Sequence, residues 1–524
     1  MLLAKIRSRL PGGKPSLFKP AAPVTPLSTG QRIIATIVIL GSMVGAALIS
    51  YFFLIHQSLR LDEAQTIWQS SHSLSGVLHV VALDVHVPLY HVLVHFWIFY
   101  FGDSVVAVRS LSLLFFLLTI PVIFAIARQL LPLRWALFAV ILFSFSPFMD
   151  WYASEARMYT LLVLIASLNQ FFFLKITRKN KGWIGFALTA LVGAYSHYFF
   201  LFTLAAQGIY FLLRHRYYAR RSLQKMIAIA VLVLLALSPW LYYFRSLGSA
   251  GNTRPLLVTP SSVDFSNVFS QFIFGFQTDY INTILLSSWP LIMLISLIAV
   301  RRSKKIDVPV SIMMTMAVLP IILAFVISLL VQPFFVSRYM VACVAPLLLV
   351  IVWLISQYRK SFATGAAILL IVITGVSSFQ QAHSAATPIK EDYKAAVEYI
   401  NKRAVPQDLV VISSPFTIYP IEYYYTGAAQ IQTLPLWNRT SAGAIPAFNE
   451  KTLPQDVAKQ NENHRYIYLL LSHDQGYEDT ISQYYLSHFK QLKKQVYSDD
   501  LTLYVYQVGY YSVPPLDQAT EPVE

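Results

Sequence analysis

The chain has 524 residues, of which 56% are hydrophobic, 14% aromatic and only 12% charged, with a mean hydropathy of +0.56. A soluble globular protein carries about 25% charged residues and a disordered chain lacks apolar surface to bury, so both classes are excluded and a polytopic membrane protein remains. The formal net charge of +15 is no sign of nucleic acid: residues 1–383 hold 29 Lys and Arg against nine Asp and Glu, while residues 384–524 hold 11 against 16, so the basic excess belongs to the apolar part, where it reports topology.

In chain order, residues 1–32 form a basic N-terminus with Lys5, Arg7, Arg9, Lys14, Lys19 and Arg32 and no acid. The apolar run from Ile33 to Ile55 has 23 residues; about 20 span a bilayer. It is too long for the core of a signal peptide, so it is expected as the first span, with the N-terminus in the cytoplasm. Further apolar segments at 105–127, 135–150, 158–174, 183–196, 198–213, 226–243, 284–300, 309–331, 339–357 and 362–379 bring the expectation to about eleven spans. Those at 183–196 and 198–213 are short enough to be a re-entrant pair. Alternate connections carry the basic clusters, from Arg128 and Arg134 to Arg359 and Lys360, which assigns them to the cytoplasm. Of the nine acids before residue 384, only Asp307 falls in such a connection; the other eight map to the opposite, outer face. Cys343 is the sole cysteine, which excludes a disulfide framework and a Cys-based zinc site.

Residues 56–104 make one long outer loop, whose stretch from Pro88 to Phe101 is apolar but short for a span and reads as a helix along the interface. After residue 384 the composition becomes that of a soluble α/β domain of about 140 residues. Glu391–Arg403 and 479–495 are expected as helices, and Asp408–Ser413, Arg465–Leu471 and Leu501–Val508 as strands. The division is therefore a basic terminus (1–32), a membrane domain (33–383) with the loop 56–104, and an extracytoplasmic α/β domain (384–524).

Five outer motifs carry chemistry. Asp62-Glu63 lies just past the first span; it is either a solvated acidic pair at a helix start or a general base whose partial desolvation tunes its pKa. Asp84 and His86, two apart, stand before Pro88-Leu89-Tyr90; they cap and pack, or serve as two of the three or four ligands a metal needs. Glu155, Arg157 and Tyr159 open a span, and Arg338-Tyr339 opens another. Each arginine either snorkels to the interface or offers a bidentate fork to phosphate. His197-Tyr198, at an outer turn, packs at the lipid interface or contacts substrate.

Asp62-Glu63-Ala64, His86-Val87-Pro88-Leu89-Tyr90, Ser154-Glu155-Ala156-Arg157-Met158-Tyr159 and Arg338-Tyr339 resemble, in order and spacing over residues 30–345, the motifs of family 39-like integral-membrane glycosyltransferases. That GT-C group includes protein O-mannosyltransferases and the lipid A aminoarabinose transferase; the family often has two prolines where this chain has Val87-Pro88. The resemblance implies a mostly α transmembrane bundle and a multi-pass enzyme of the cell envelope. It also implies a polyprenyl-phosphate sugar donor, an acceptor hydroxyl on a glycan, lipid or protein, and an acid of the first outer loop as base. Asp62 is then the base with Glu63 assisting. Arg157, Tyr159, Arg338 and Tyr339 face the lipid phosphate, and Asp84, His86, Tyr90, Glu155, His197 and Tyr198 are candidate substrate contacts. A divalent metal is optional. A transporter or flippase of lipid-linked sugars is the rival reading, but it calls for ionisable residues at mid-membrane and a repeat, and neither is evident. A non-catalytic receptor that binds cell-wall polymer through the tail is the second rival.

Overall fold

The computed structural model describes residues 18–19, 25–247, 258–303, 306–384, 390–440 and 445–509; the side chain of Asp279, one of the eight outer acids, lies outside them. The first long helix, Thr29–His56, opens with a capping box in which Ser28 and Gln31 exchange hydrogen bonds. It packs on Val105–Leu130 and Leu133–Ser144. Val105–Leu130, Tyr159–Lys179 and Val308–Leu330 are among the most buried spans, and their apolar residues share one core with Val344–Ser356.

Among the described residues, seven helices are long and apolar enough to cross a bilayer, or eight if the pair Leu133–Ser144 and Pro147–Ala153, bent by 52°, makes one span. Sequence led to about eleven. The difference lies in the short elements: Trp183–Ser196 and Phe200–Leu213 have 14 residues each, about 21 Å at the helical rise against about 30 Å of hydrocarbon. The 284–300 segment is likewise divided at Ser288 into Asp279–Ser287 and Trp289–Arg302.

The loop 56–104 is itself helical: Leu61–Ser70, Leu74–Ala82 and Leu89–Phe101 follow one another across the end of the bundle. Beyond residue 390, the described chain builds a five-stranded mixed sheet from β1 (Leu409–Ser413), β2 (Gln430–Thr433), β3 (Tyr466–Ser472), β4 (Lys490–Ser498) and β5 (Leu501–Gln507), in the order β2-β1-β3-β5-β4. β1 pairs in parallel with β2 and β3, while β5 runs antiparallel to β3 and β4. Every residue of β1 and β3 is buried, as in a parallel centre covered on both faces; helices Tyr393–Asn401, Leu453–Asn461 and Glu478–His488 accompany the sheet. The helix expected over 479–495 ends at His488, and Lys490–Ser498 is instead an edge strand hairpinned to β5. Its Lys490, Lys493 and Lys494 keep that edge soluble.

The sheet is docked on the loop helices through one continuous core. Leu59, Ala64, Ile67 and Val108 share it with Tyr393, Ile400, Val410 and Tyr468. Polar ties run alongside: Leu59 N donates to the Tyr424 hydroxyl (2.8 Å), Tyr423 donates to Asp103 O (3.0 Å) and Lys394 N donates to Ser58 Oγ (3.2 Å).

Candidate active site

Asp62 and Glu63 are adjacent in sequence, but a helix turns neighbours about 100° apart and their environments diverge. Glu63 is fully buried. Arg109 donates to both of its oxygens (2.7 and 2.6 Å), and Ala156 N (2.8 Å) and Arg60 N (2.9 Å) complete its shell. Burial pushes the Glu63 pKa up, but the Arg109 guanidinium more than reverses this and leaves it below the usual value. The same arginine donates to the carbonyls of Leu54, Gln57 and Ser58, so the pair locks the end of the first long helix to the start of Leu61–Ser70. A carboxylate held by four donors has no free place for a substrate proton.

Asp62 faces the other way, into a cavity of about 940 Å³ between the bundle and the sheet. Its carboxylate lies 3.4 Å from Arg338 Nη1. Arg157 donates to the Asp62 carbonyl (3.3 Å), to Thr66 Oγ1 (3.0 Å) and, through Nη2, to His86 Nε2 (3.0 Å). Because a guanidinium only donates, His86 accepts at Nε2 and is neutral; burial first, and Arg157 next, push its pKa down to about 3. Burial pushes Asp62 up, but Arg157 and Arg338 outweigh it and hold the carboxyl at about 2. Arg157 is itself 3% exposed and has no carboxylate within ion-pair distance among the described residues. Its pKa is raised: burial lowers it, and Asp62, Tyr159 and Glu155 more than compensate. The cavity thus holds a buried guanidinium short of an anion.

Glu155 also lines the cavity, where Arg60 Nη1 donates to it (2.9 Å) and lies over the Trp151 ring (3.3 Å). Burial raises the Glu155 pKa, Arg60 opposes it and the neighbouring acids add to it, for a value of about 7. Asp84 Oδ2 accepts from Gln65 (2.8 Å) and Gln69 (3.0 Å) and sits 3.7 Å from His86 Nε2. Asp62, Asp84, His86, Glu155, Arg157, Arg338 and Tyr339 therefore meet at one wall, although they come from four separate stretches of chain.

Five sequence candidates do not line it. Glu63 is locked as described. Tyr90 is buried and shares a hydrogen bond with Ser112 (2.8 Å), and the Tyr198 hydroxyl accepts from Trp240 (3.0 Å). Tyr159 packs behind Tyr152 (ring centroids 4.8 Å), and His197 lies behind Tyr339 (5.4 Å) with its Nδ1 accepting from Phe199 N. Conversely, sequence reasoning missed Gln65, Trp68 and Gln69; Gln65 and Gln69 lie three and seven residues after Asp62, so helical spacing alone would have found those two. It also missed the roof, where Tyr419, Trp437, Arg439 and His473 close the cavity from the sheet side. No local motif marks those.

In that roof, Glu391, His473 and Asp500 bring one ligand atom each within 4.8 Å of one another. His473 Nε2 lies 3.2 Å from Glu391 and Nδ1 lies 3.0 Å from Asp500. Each carboxylate thus lies within ion-pair distance of a different ring nitrogen, which favours the charged imidazolium. Burial lowers the His473 pKa, but Glu391 and Asp500 raise it above its ordinary value.

Comparison with known proteins places this geometry. The family described as dolichyl-phosphate-mannose-protein mannosyltransferase matches residues 85–243, and no curated protein matches the chain. The crystal structure of ArnT from Cupriavidus metallidurans in the apo state is similar with a TM-score of 0.59 at 12% identity, over 90% of this chain and 98% of that one. The same protein bound to undecaprenyl phosphate gives a TM-score of 0.56 at 13% identity, over 93% and 100%. The chain therefore has the GT-C fold of integral-membrane glycosyltransferases and is a multi-pass membrane protein, as the motif resemblance implies.

Proposed function

We propose that the chain transfers a sugar from a polyprenyl monophosphate to an acceptor hydroxyl on the extracytoplasmic face, with inversion. The observation that carries this reading is the carboxylate of Asp62 set between two arginines, one of which has no acidic partner among the described residues, in a cavity beside apolar spans. The binding of undecaprenyl phosphate by the structurally similar ArnT supports it. The clustering of basic residues in connections opposite to this face supports the orientation.

In this reading the donor phosphate sits between Arg157 and Arg338, where forked donors match its oxygens. Asp62 takes the proton of the acceptor hydroxyl, the acceptor oxygen bonds to the anomeric carbon through an oxocarbenium-like state, and the bond from that carbon to the phosphate oxygen breaks. Polyprenyl phosphate leaves, with its new negative charge held by the same guanidinium groups. A carboxylate held at about 2 is a weak base. A phosphate that engages the two arginines takes up the charge that depresses Asp62, so its basicity rises when donor is bound. Arg157 and Arg338 supply the positive charge, and no step is assigned to a metal ion.

The reading also divides the labour of the acidic pair. Asp62 is the base, and Glu63 positions the helix that carries it through Arg109. The described residues of the extracytoplasmic domain 384–524 close the cavity over the membrane domain 33–383.

Mass spectrometry of lipid-linked sugars and surface glycans, in cells with and without the gene, tests this. One polyprenyl-phosphate sugar should accumulate and one surface modification should vanish when the gene is absent. Unchanged profiles of both would refute the reading.

A further inference from the structure

The helix Leu61–Ser70 presents Asp62, Gln65 and Gln69 to the cavity. At the helical rise, the two glutamines stand about 4.5 and about 10.5 Å along the axis from the acid. Both turn Nε2 toward a single carboxylate, with Gln65 2.8 Å and Gln69 3.0 Å from Asp84 Oδ2; Asp84 Oδ1 accepts from Val85 N at 2.7 Å. Each glutamine spends one of its two Nε2 hydrogens on Asp84 and keeps the other, together with its carbonyl oxygen. Gln69 is 1% exposed, and its Oε1 has no hydrogen-bond partner among the described residues. Buried polar atoms without partners are uncommon in folded proteins, and this one belongs to a side chain that lines the cavity.

Two further features define the place. Trp68 and Tyr419, with ring centroids 5.2 Å apart, wall it with apolar surface, and the Arg439 guanidinium lies over both rings (4.6 and 5.0 Å) while ion-paired to Glu422. On the other side, His86 Nε2 accepts from Arg157 (3.0 Å) and lies 3.7 Å from Asp84 Oδ2. A floor rich in acceptors and an aromatic wall therefore adjoin the guanidinium that faces the phosphate.

We propose that Gln65, Gln69 and Asp84 form the subsite that receives the sugar ring of the donor, and that it selects a hydroxyl-rich, non-anionic ring. The assignment rests on Arg157 and Arg338 as the partners of the donor phosphate, since the sugar is bonded to that phosphate. Hydroxyl groups donate to the carbonyl oxygen of half-buried Gln65 and to the remaining lone pairs of Asp84, and the apolar C–H face of the ring packs on the aromatic wall. A uronic acid would bring its carboxylate against the Asp84 carboxylate, a like-charge contact that the single remaining N–H of a neutral amide does not offset.

The test measures lipid binding to the full chain in nanodiscs. The probes are bare polyprenyl phosphate and the same lipid carrying mannose, glucose or glucuronate, applied to wild type, Gln65→Ala, Gln69→Leu and Arg157→Ala. Wild type should bind at least one neutral hexosyl lipid about tenfold more tightly than the glucuronosyl lipid. Each glutamine variant should lose about tenfold on that hexosyl lipid and stay near wild type on the bare phosphate, whereas Arg157→Ala should lose both. Gln65 is only half-buried, so its variant carries the test if Gln69→Leu fails to fold. Equal losses on bare and hexosyl lipid, no loss on either, tighter binding of the glucuronosyl lipid, or an effect confined to the KM of the acceptor would overturn the proposal. If wild type binds no polyprenyl phosphate at all, the underlying phosphate assignment fails, and the proposal with it.

Discussion

Arg157 is the residue on which the chemistry turns, because a 3% exposed guanidinium with no carboxylate in ion-pair reach, among the described residues, is costly unless something anionic arrives. If that anion is phosphate held by a fork, Lys keeps the charge and loses the geometry. Arg157→Lys and Arg338→Lys should each weaken transfer and the Ala variants more, by roughly 3–4 kcal/mol for loss of a charge stabiliser; kinetics with purified protein, normalised to folded protein, check this. Lys variants with wild-type rates would mean that the arginines only reach toward solvent. Glu155 sets the pH response. Its value of about 7 means that it protonates as pH falls through neutrality, while Asp62, at about 2, stays ionised in the free protein. Protonation removes the charge that holds Arg60. Activity should therefore decline below about pH 7, and Glu155→Gln, which mimics the protonated form, should be slow and nearly flat across that limb. A pH–rate profile in which Glu155→Gln keeps the acid limb would assign it elsewhere. The residue types of this site were legible in sequence, since Asp62, Asp84, His86, Glu155, Arg157 and Arg338 all line the cavity. What stayed hidden is the difference between Asp62 and Glu63, because nothing local marks Arg109, a cation inside an apolar helix 46 positions away, as the partner of one and not the other.

At the scale of elements, the Leu61–Ser70 helix is held in place by the Glu63–Arg109 pair and by the carbonyls Arg109 gathers from the end of the preceding helix. Removing one partner of a buried pair leaves an uncompensated charge and typically costs about 3–5 kcal/mol. Glu63→Ala and Arg109→Met should thus lower the thermal unfolding midpoint markedly, whereas Asp62→Asn, on a cavity wall, should leave it nearly unchanged. Equal midpoints for Glu63→Ala and Asp62→Asn would remove the positioning role. The elements were only partly readable. Long apolar helices announce themselves by length, but Trp183–Ser196 and Phe200–Leu213 are each as apolar as a span and too short to be one alone. Residues 490–495 fall within the helix expected over 479–495 but belong to β4; pairing with β5 decides the matter, and that contact is tertiary.

For the whole molecule, the sheet and the bundle are joined through a shared apolar core and by the roof of the cavity, so the stability of the sheet and the shape of the site are linked. The roof contains His473 between Glu391 and Asp500, beside Asp474 and Glu478. The His473 pKa is raised on folding, so its stabilisation is fully present below about 6.5 and is lost as pH rises through the folded value. Glu478, raised to about 8 by burial and then by Asp474 and Asp500, acts in the same sense: folding favours its neutral form, and stability falls as pH climbs from its unfolded value. Hydrogen exchange in β3 and β5 should therefore quicken between pH 6 and pH 9 beyond the intrinsic base dependence, and a His473→Gln, Glu478→Gln double variant should show less of that excess. An excess unchanged in the double variant would place the pH sensitivity outside this cluster. The charge split at residue 384 marks off an acidic tail, but that the tail roofs the cavity, and which of its loops face inward, depends on docking and sheet order, which no local signal encodes.

The central claim is that Asp62 works as the base of a sugar transfer from a lipid phosphate, and one measurement addresses it directly. Purified wild type and Asp62→Asn, reconstituted in liposomes, are given a panel of polyprenyl phosphates that carry radiolabelled neutral sugars, together with envelope extract as acceptor. Wild type should release label from one member of the panel into the acceptor. Asp62→Asn should do so about 10²–10⁴-fold more slowly while binding bare polyprenyl phosphate at least as well as wild type. Label that crosses the bilayer still attached to its lipid, or transfer by Asp62→Asn at the wild-type rate, would contradict the account.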